Sequence, residues 1–148
     1  PSVRNLQPWR FVVVRSEEIR EKMRETAFRN WKKAMEALRE ENPEEYHFYE
    51  KYVERDDPVY FSAPVTVFVI GLSSTNLALA CENMMLAAHS MGLGSCYVGW
   101  GALIKNNLEL IEVLELKTDE VICGPIVFGY PSETPEPPPK NEPDIKWI

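Results

Sequence analysis

The sequence predicts an α+β fold in which helices cover a mixed central sheet. Three observations predict it. Two short runs of β-branched and aromatic residues, WRFVVV at Trp9 to Val14 and PVTVFVI at Pro64 to Ile70, have the composition of buried strands. Between them, apolar residues recur every three or four positions at Ile19, Met23, Ala27, Trp31, Ala34 and Leu38, the stripe of an amphipathic helix. After them, NLALACENMMLAAHSMGLG is rich in helix formers and apolar around most of its circumference, as a core helix requires.

Taken in order, the elements follow from local chemistry. Arg15 and Ser16 end the first strand, and Ser16 is placed to cap the long helix, with Glu17 and Glu18 where the helix dipole favours negative charge. Asn42 and Pro43 punctuate that helix. The stretch from Glu44 to Arg55, polar with Tyr46, Phe48, Tyr49 and Tyr52, predicts a second, exposed helix that Asp57 and Pro58 break. The run to Ile70 predicts a central strand buried on both faces, closed by Gly71.

The core helix begins near Thr75, and Gly92 is its stop signal. A short strand from Ser95 to Val98, a glycine-flanked turn from Gly99 to Gly101, a helix around Asn107 to Leu116 and a last strand from Val121 to Gly129 follow. The proline-rich stretch from Pro131 to Pro143 excludes helix and interior strand and predicts an extended arm. Nothing repeats along the 148 residues, a length that suits one domain over 1–148.

Composition narrows the function. A formal charge of -7 argues against nucleic acid as a partner, because phosphate-backbone affinity needs Lys and Arg in clustered excess. The apolar stretch from Leu77 to Met91 is interrupted by Glu82, Asn83, His89 and Ser90 and is shorter than the roughly 18 residues of a membrane span. No membrane association is expected. Cys81, Cys96 and Cys123 are odd in number and form no C-x-x-C pair, which suggests neither a disulfide framework nor a zinc site and points to a reducing, cytoplasmic setting.

The sequence contains no G-x-S-x-G elbow, H-E-x-x-H or Walker loop. His47 lies in a polar helix, and His89 on the core helix has a structural reading ahead of a catalytic one. Gly92-Leu93-Gly94 follows a helix, whereas a dinucleotide loop must follow a strand. An enzyme without its own acid, base or nucleophile remains possible when a cofactor carries the reaction, which directs attention to flavin.

The opening segment PSVRNLQPW resembles the P-S-x-x-N-x-Q-P-W segment of the nitroreductase family, matching at Pro1, Ser2, Asn5, Gln7, Pro8 and Trp9. The core helix and its exit, NLALACENMMLAAHSMGLGSCYVGW, are similar to that family's central helix and glycine-bearing flavin loop. VFGYP at Val127 to Pro131, followed by a proline arm with Lys140, is a third likeness. The resemblance implies a three-layer fold and an intimate homodimer with FMN at its interface. It also implies reduction by NADH or NADPH, followed by electron transfer to a small electrophile such as a nitroaromatic or a quinone.

Carried over by position, Pro1, Ser2 and Asn5 contact a flavin shared with the partner subunit, and Gln7 holds the loop or touches the ring edge. Val98 and Gly99 present backbone groups near N5, and Lys140 meets the phosphate by charge pairing. No residue of the chain is cast as catalytic and no metal is implied.

Two departures bear on cofactor affinity. Asn141 and Glu142 stand where the family pattern continues with another basic residue, and the family's R-R-S-x-R segment on a first helix has no counterpart here. The expectation is a domain lacking its N-terminal helix, with Arg4 as partial compensation. Two alternatives stay open. One is a non-catalytic dimeric module that binds a nucleotide or metabolite; the other is a flavin enzyme with a different reaction, such as dehalogenation or flavin destruction.

Overall fold

A computed structural model describes residues 1–133 and 136–148. After a short 3-10 turn at Val3–Asn5, strand β1 spans Trp9–Val14, helix α1 Glu17–Glu41 and helix α2 Pro43–Glu50. Strand β2 covers Val65–Gly71, helix α3 Ser74–Ser90 and strand β3 Gly94–Tyr97. A second 3-10 turn at Gly99–Ile104 leads to helix α4, Leu108–Val113, and to strand β4, Val121–Gly129.

The four strands form one sheet in the order β1-β2-β4-β3. All three pairings are antiparallel, in place of the mixed sheet expected from sequence. The strand order explains the difference: β2 and β3, joined through α3, run parallel to each other, but β4 lies between them antiparallel to both, so no parallel pair is adjacent.

Two apolar layers sandwich this sheet. Side chains alternate along β2, so Phe68 and Ile70 enter one cluster with Val14, Met23, Ala27, Trp31 and Met35, while Val69 enters the other with Leu77, Ala80, Cys81, Cys123 and Ile126. Met23, Ala27, Trp31 and Met35 recur every four residues, which turns one stripe of α1 toward the sheet. Trp31 is 2% exposed, and truncating such a residue typically costs about 3–5 kcal/mol.

Caps set the helix ends. Ser16 Oγ accepts from the Ile19 N–H at 3.4 Å, and Asn42 Oδ1 accepts from the Glu45 N–H at 3.2 Å ahead of Pro43. Gly92, at φ 75°, ends α3 with the Leu93 N–H bonded back to the Ala88 carbonyl at 2.9 Å.

Two helices differ from expectation. The second helix stops at Glu50 instead of Arg55, since the chain there turns toward the Asp57 site described below. Helix α3 is not buried all round: Leu79, Leu86 and the following Met91 are 41%, 59% and 74% exposed, and only the side facing the sheet is covered. Beside it Phe11 and Val13 of edge strand β1 are also exposed, so the face carries a broad apolar surface. No described helix is long and apolar enough to cross a membrane. Described residues after Gly129 lie outside helices and strands, as the arm predicts; Thr134 and Pro135 of that arm fall outside the described residues.

Candidate functional site

The first loop is held in an unusual conformation. Arg4, Asn5 and Gln7 have φ of 50°, 55° and 49°, left-handed values that cost energy in residues other than glycine. Local hydrogen bonds impose them. Ser2 Oγ accepts from the Gln7 N–H at 2.9 Å, and the Ser2 carbonyl accepts from the Asn5 N–H at 3.1 Å. The Val3 N–H donates to Asn76 Oδ1 in the first turn of α3 at 3.3 Å.

The loop then passes so close to Gly71 that a Cβ there would meet the Pro8 carbonyl oxygen at 2.2 Å. Pro1, Asn5 and Gln7 remain exposed.

Val98 and Gly99 lie at the other edge of the sheet, where β3 runs into the 3-10 turn. The buried Val98 donates its N–H to the Pro125 carbonyl at 2.8 Å and accepts from the Gly101 N–H at 3.0 Å. Gly99 faces open space, with nothing within 4 Å of where a Cβ would stand. Among the described residues, the N–H groups of Gly99 and Trp100, first in the turn, have no acceptor. Strands β2 and β4 separate the two edges, so in one chain the first loop and Gly99 lie at opposite edges of the sheet. Lys140 is exposed on the arm after β4.

Next to Gly99 opens a cavity of about 160 Å³ lined by Trp31, Phe48, Tyr49, Tyr52, Pro58, Phe61, Cys96, Tyr97, Val98 and Trp100. Tyr49 and Trp100 meet edge to face at 5.7 Å. Trp31, Tyr49, Tyr52 and Trp100 also pack in or against the main core while forming this wall.

Sequence reasoning missed two residues that build the site. The buried Asp57 carboxylate accepts from the N–H groups of Val59, Tyr60 and Ser62 at 3.2, 2.7 and 2.9 Å. These bonds hold Phe61 and Ser62 at φ 55° and 54°, so a bulky residue sits in a left-handed conformation on the cavity wall. Tyr60 Oη donates to the Gly101 carbonyl at 2.7 Å. Only the Asp57-Pro58 break carried a local signal, and its long-range partners left none.

Among the described residues, the site pairs no nucleophile with a base. His47 is exposed and pairs with Glu50, and His89 is exposed at the end of α3 rather than bonded in a core. Desolvation raises the Cys96 thiol, which favours the unreactive protonated form. Cys81 is pushed up to about 12, by burial first and then by Cys123 beside it. The described residues contain no group of three or more metal-ligating side chains.

Comparison with known proteins places this geometry. A proteins-of-Archaeoglobus-fulgidus relative, provisionally named NADH dehydrogenase/NAD(P)H nitroreductase, is 30% identical over 135 residues, covering 90% of this chain and 67% of its own length. A Methanothermobacter thermautotrophicus protein of the same provisional name is 30% identical over 145 residues, covering 91% and 61%. The chain thus spans about two thirds of the length of these relatives. The structure of oxidized iodotyrosine deiodinase bound to FMN and 3-iodo-L-tyrosine shares the fold, with a TM-score of 0.80 at 24% identity over 100% of this chain and 80% of that one. The model described as Nitroreductase family matches residues 1–130, and the chain belongs to the nitroreductase family.

Proposed function

We propose that this chain forms an FMN-dependent oxidoreductase that takes hydride from NADH or NADPH and reduces a small electrophile, such as a nitroaromatic or a quinone, in two half-reactions. The observation that carries this proposal is the Gly99 turn. It offers backbone N–H groups that have no acceptor among the described residues, beside an aromatic cavity in which those residues pair no nucleophile with a base. A flat, electron-accepting ring fits those surroundings, since it needs donors at its edge and apolar groups on its face.

When bound, FMN supplies the two-electron redox chemistry. The chain's residues then bind and orient. Gly99, lacking a side chain, would leave room for the ring and offer it a backbone N–H, and Val98 would hold the turn through its bonds to Pro125 and Gly101. Lys140 balances the phosphate charge.

Pro1, Ser2, Asn5 and Gln7 serve the same ring from a second copy of the chain. Their separation from Gly99 within one chain supports this arrangement, as does the exposed apolar surface of Leu79, Leu86, Phe11 and Val13, which suits burial in a homodimer.

The test is anaerobic reduction of the FMN-loaded full chain. NADH or NADPH bleaches the flavin absorbance, and a nitroaromatic or p-benzoquinone then restores it. Flavin that stays oxidised in both nicotinamides overturns the proposal.

A further inference from the structure

We propose that one water molecule is bound between helix α1 and the Asp57 turn, held by Arg20 Nε, Arg24 Nε and the Asp57 carboxylate. Through it α1 positions the turn that carries Phe61 to the wall of the aromatic slot beside Gly99.

Two orphaned donors come first. The Nε–H groups of Arg20 and Arg24 are buried, and among the described residues neither has an acceptor. The two arginines stand at i and i+4 on α1 and so share one face of the helix. An outer nitrogen of each is engaged elsewhere: Arg20 Nη1 donates to the Ala63 carbonyl at 3.2 Å, and Arg24 Nη2 pairs with Glu21. A buried donor on a charged group is costly to leave unpaired, which calls for a partner other than a protein group.

The cavity comes second. Arg20 and Arg24 line one small cavity together with Asp57, Tyr60 and Thr66. Its volume of about 10 Å³ is at the size that admits a single water, for which roughly 10–15 Å³ is needed. Thr66, 1% exposed, shares the α1 face of β2 with Phe68 and Ile70. Among the described residues neither arginine forms an ion pair with Asp57, so the cavity joins these opposite charges through a bridging molecule rather than by direct contact.

Donor count and charge select water. Arginine Nε–H only donates, and an ionised carboxylate only accepts. Asp57 Oδ1 takes the N–H groups of Val59 and Tyr60, whereas among the described residues Oδ2 takes only that of Ser62 and keeps a lone pair. The bound molecule must therefore accept two hydrogen bonds and donate one, which water does with a hydrogen left for the Thr66 hydroxyl. A halide cannot donate to Asp57, and a metal cation would face two guanidinium groups. Glu21 and Asp57 match the two arginine charges, and the exposed Glu25 and Asp56 on the adjoining surface disfavour an anion further.

Arg20 thus holds both ends of the turn, Ala63 directly and Asp57 through the water. Asp57 in turn keeps Phe61 and Ser62 at φ 55° and 54°, which makes Arg20 and Arg24 positioning residues for that strained segment.

A crystal structure of the unaltered full chain tests the site without any substitution, and hydrogen exchange at the Val59, Tyr60 and Ser62 amides tests its role. One ordered water is expected at about 2.7–3.2 Å from both Nε atoms and from an Asp57 carboxylate oxygen. In Arg24→Met, which removes one donor, exchange at the three amides is expected to rise about tenfold, the equivalent of one charge-assisted hydrogen bond. Arg24→Lys raises it as much, because lysine keeps the charge but has no donor at the Nε position. Arg39→Met removes a charge from the same helix, beside the Tyr46 ring, and leaves the three amides unchanged. A direct ion pair between either arginine and Asp57, an anomalous peak at the site in bromide-soaked crystals, or exchange at the unaltered rate in Arg24→Met or Arg24→Lys overturns the inference. The same water is expected with and without FMN, so this site and the flavin reading fail separately.

Discussion

Tyr60 Oη donates to the Gly101 carbonyl at 2.7 Å, and this bond joins the two turns that make the candidate site. One turn carries Phe61, the other Val98 and Gly99. Burial, with the Asp57 charge in support, pushes the Tyr60 phenol well above its ordinary value, so it remains a donor throughout the working pH range. Tyr60→Phe leaves a buried carbonyl without its donor and is expected to lower unfolding stability by about 1–2 kcal/mol in urea denaturation. Weaker binding of aromatic ligands in the same variant is expected, because the wall loses its tie to the glycine turn.

Gly71 is a second point where geometry admits one residue. A Cβ would stand 2.2 Å from the Pro8 carbonyl oxygen, a backbone atom that cannot swing aside, and 3.1 Å from Leu77 Cδ2. Gly71→Ala is expected to cost about 1–3 kcal/mol in thermal or urea unfolding, the range for overpacking. It also displaces the loop of Ser2, Asn5 and Gln7, so flavin retention falls more than stability alone accounts for.

Arg10 and Glu120 clamp β1 to the segment before β4. Arg10 meets the Glu120 carboxylate through Nε at 3.0 Å and Nη2 at 2.6 Å and also donates to the carbonyls of Leu114 and Glu115. The hydrogen bond from Arg10, followed by that from the Lys117 N–H, holds Glu120 at about 2, below its ordinary 4.5. A carboxylate with a depressed folded value stabilises the fold fully above its unfolded value, and the contribution is lost as pH falls toward the folded one. Glu120→Gln is therefore less stable than the unaltered chain at neutral pH, and the gap narrows between about 4.5 and 2. Urea midpoints across that range measure it.

The exposed face of α3 predicts an assembly. Leu86 is 59% exposed in the single chain, beside Leu79. Leu86→Glu is expected to shift sedimentation from dimer to monomer, with FMN affinity falling at least tenfold, since the first loop then no longer reaches the Gly99 turn of another copy. A variant that stays dimeric and keeps its flavin contradicts this assignment of the face.

The sequence made the strands and the long helices legible because their signals are local. WRFVVV is strand β1 from Trp9 to Val14, and the Ser16 cap and four-residue stripe give α1. What it did not show depends on distant partners. The left-handed turns at Asn5, Gln7 and Phe61 are imposed by Ser2 and Asp57 against their own preferences. The Tyr60 bond to Gly101 spans 41 positions and leaves no periodic trace. Helix α3 read as a core helix because an apolar circumference does not distinguish a chain's own core from a surface built for another chain. Of the candidate residues, Val98 and Gly99 come together with the aromatic slot, whereas Pro1, Ser2, Asn5 and Gln7 lie at the opposite sheet edge and Lys140 on the arm.

Calorimetric titration of the full chain with FMN tests the central claim most directly. The account predicts submicromolar binding at one FMN per chain, weakened by Ser2→Ala and by bulky replacement of Gly99. Undetectable binding of FMN to a folded, dimeric chain would contradict it.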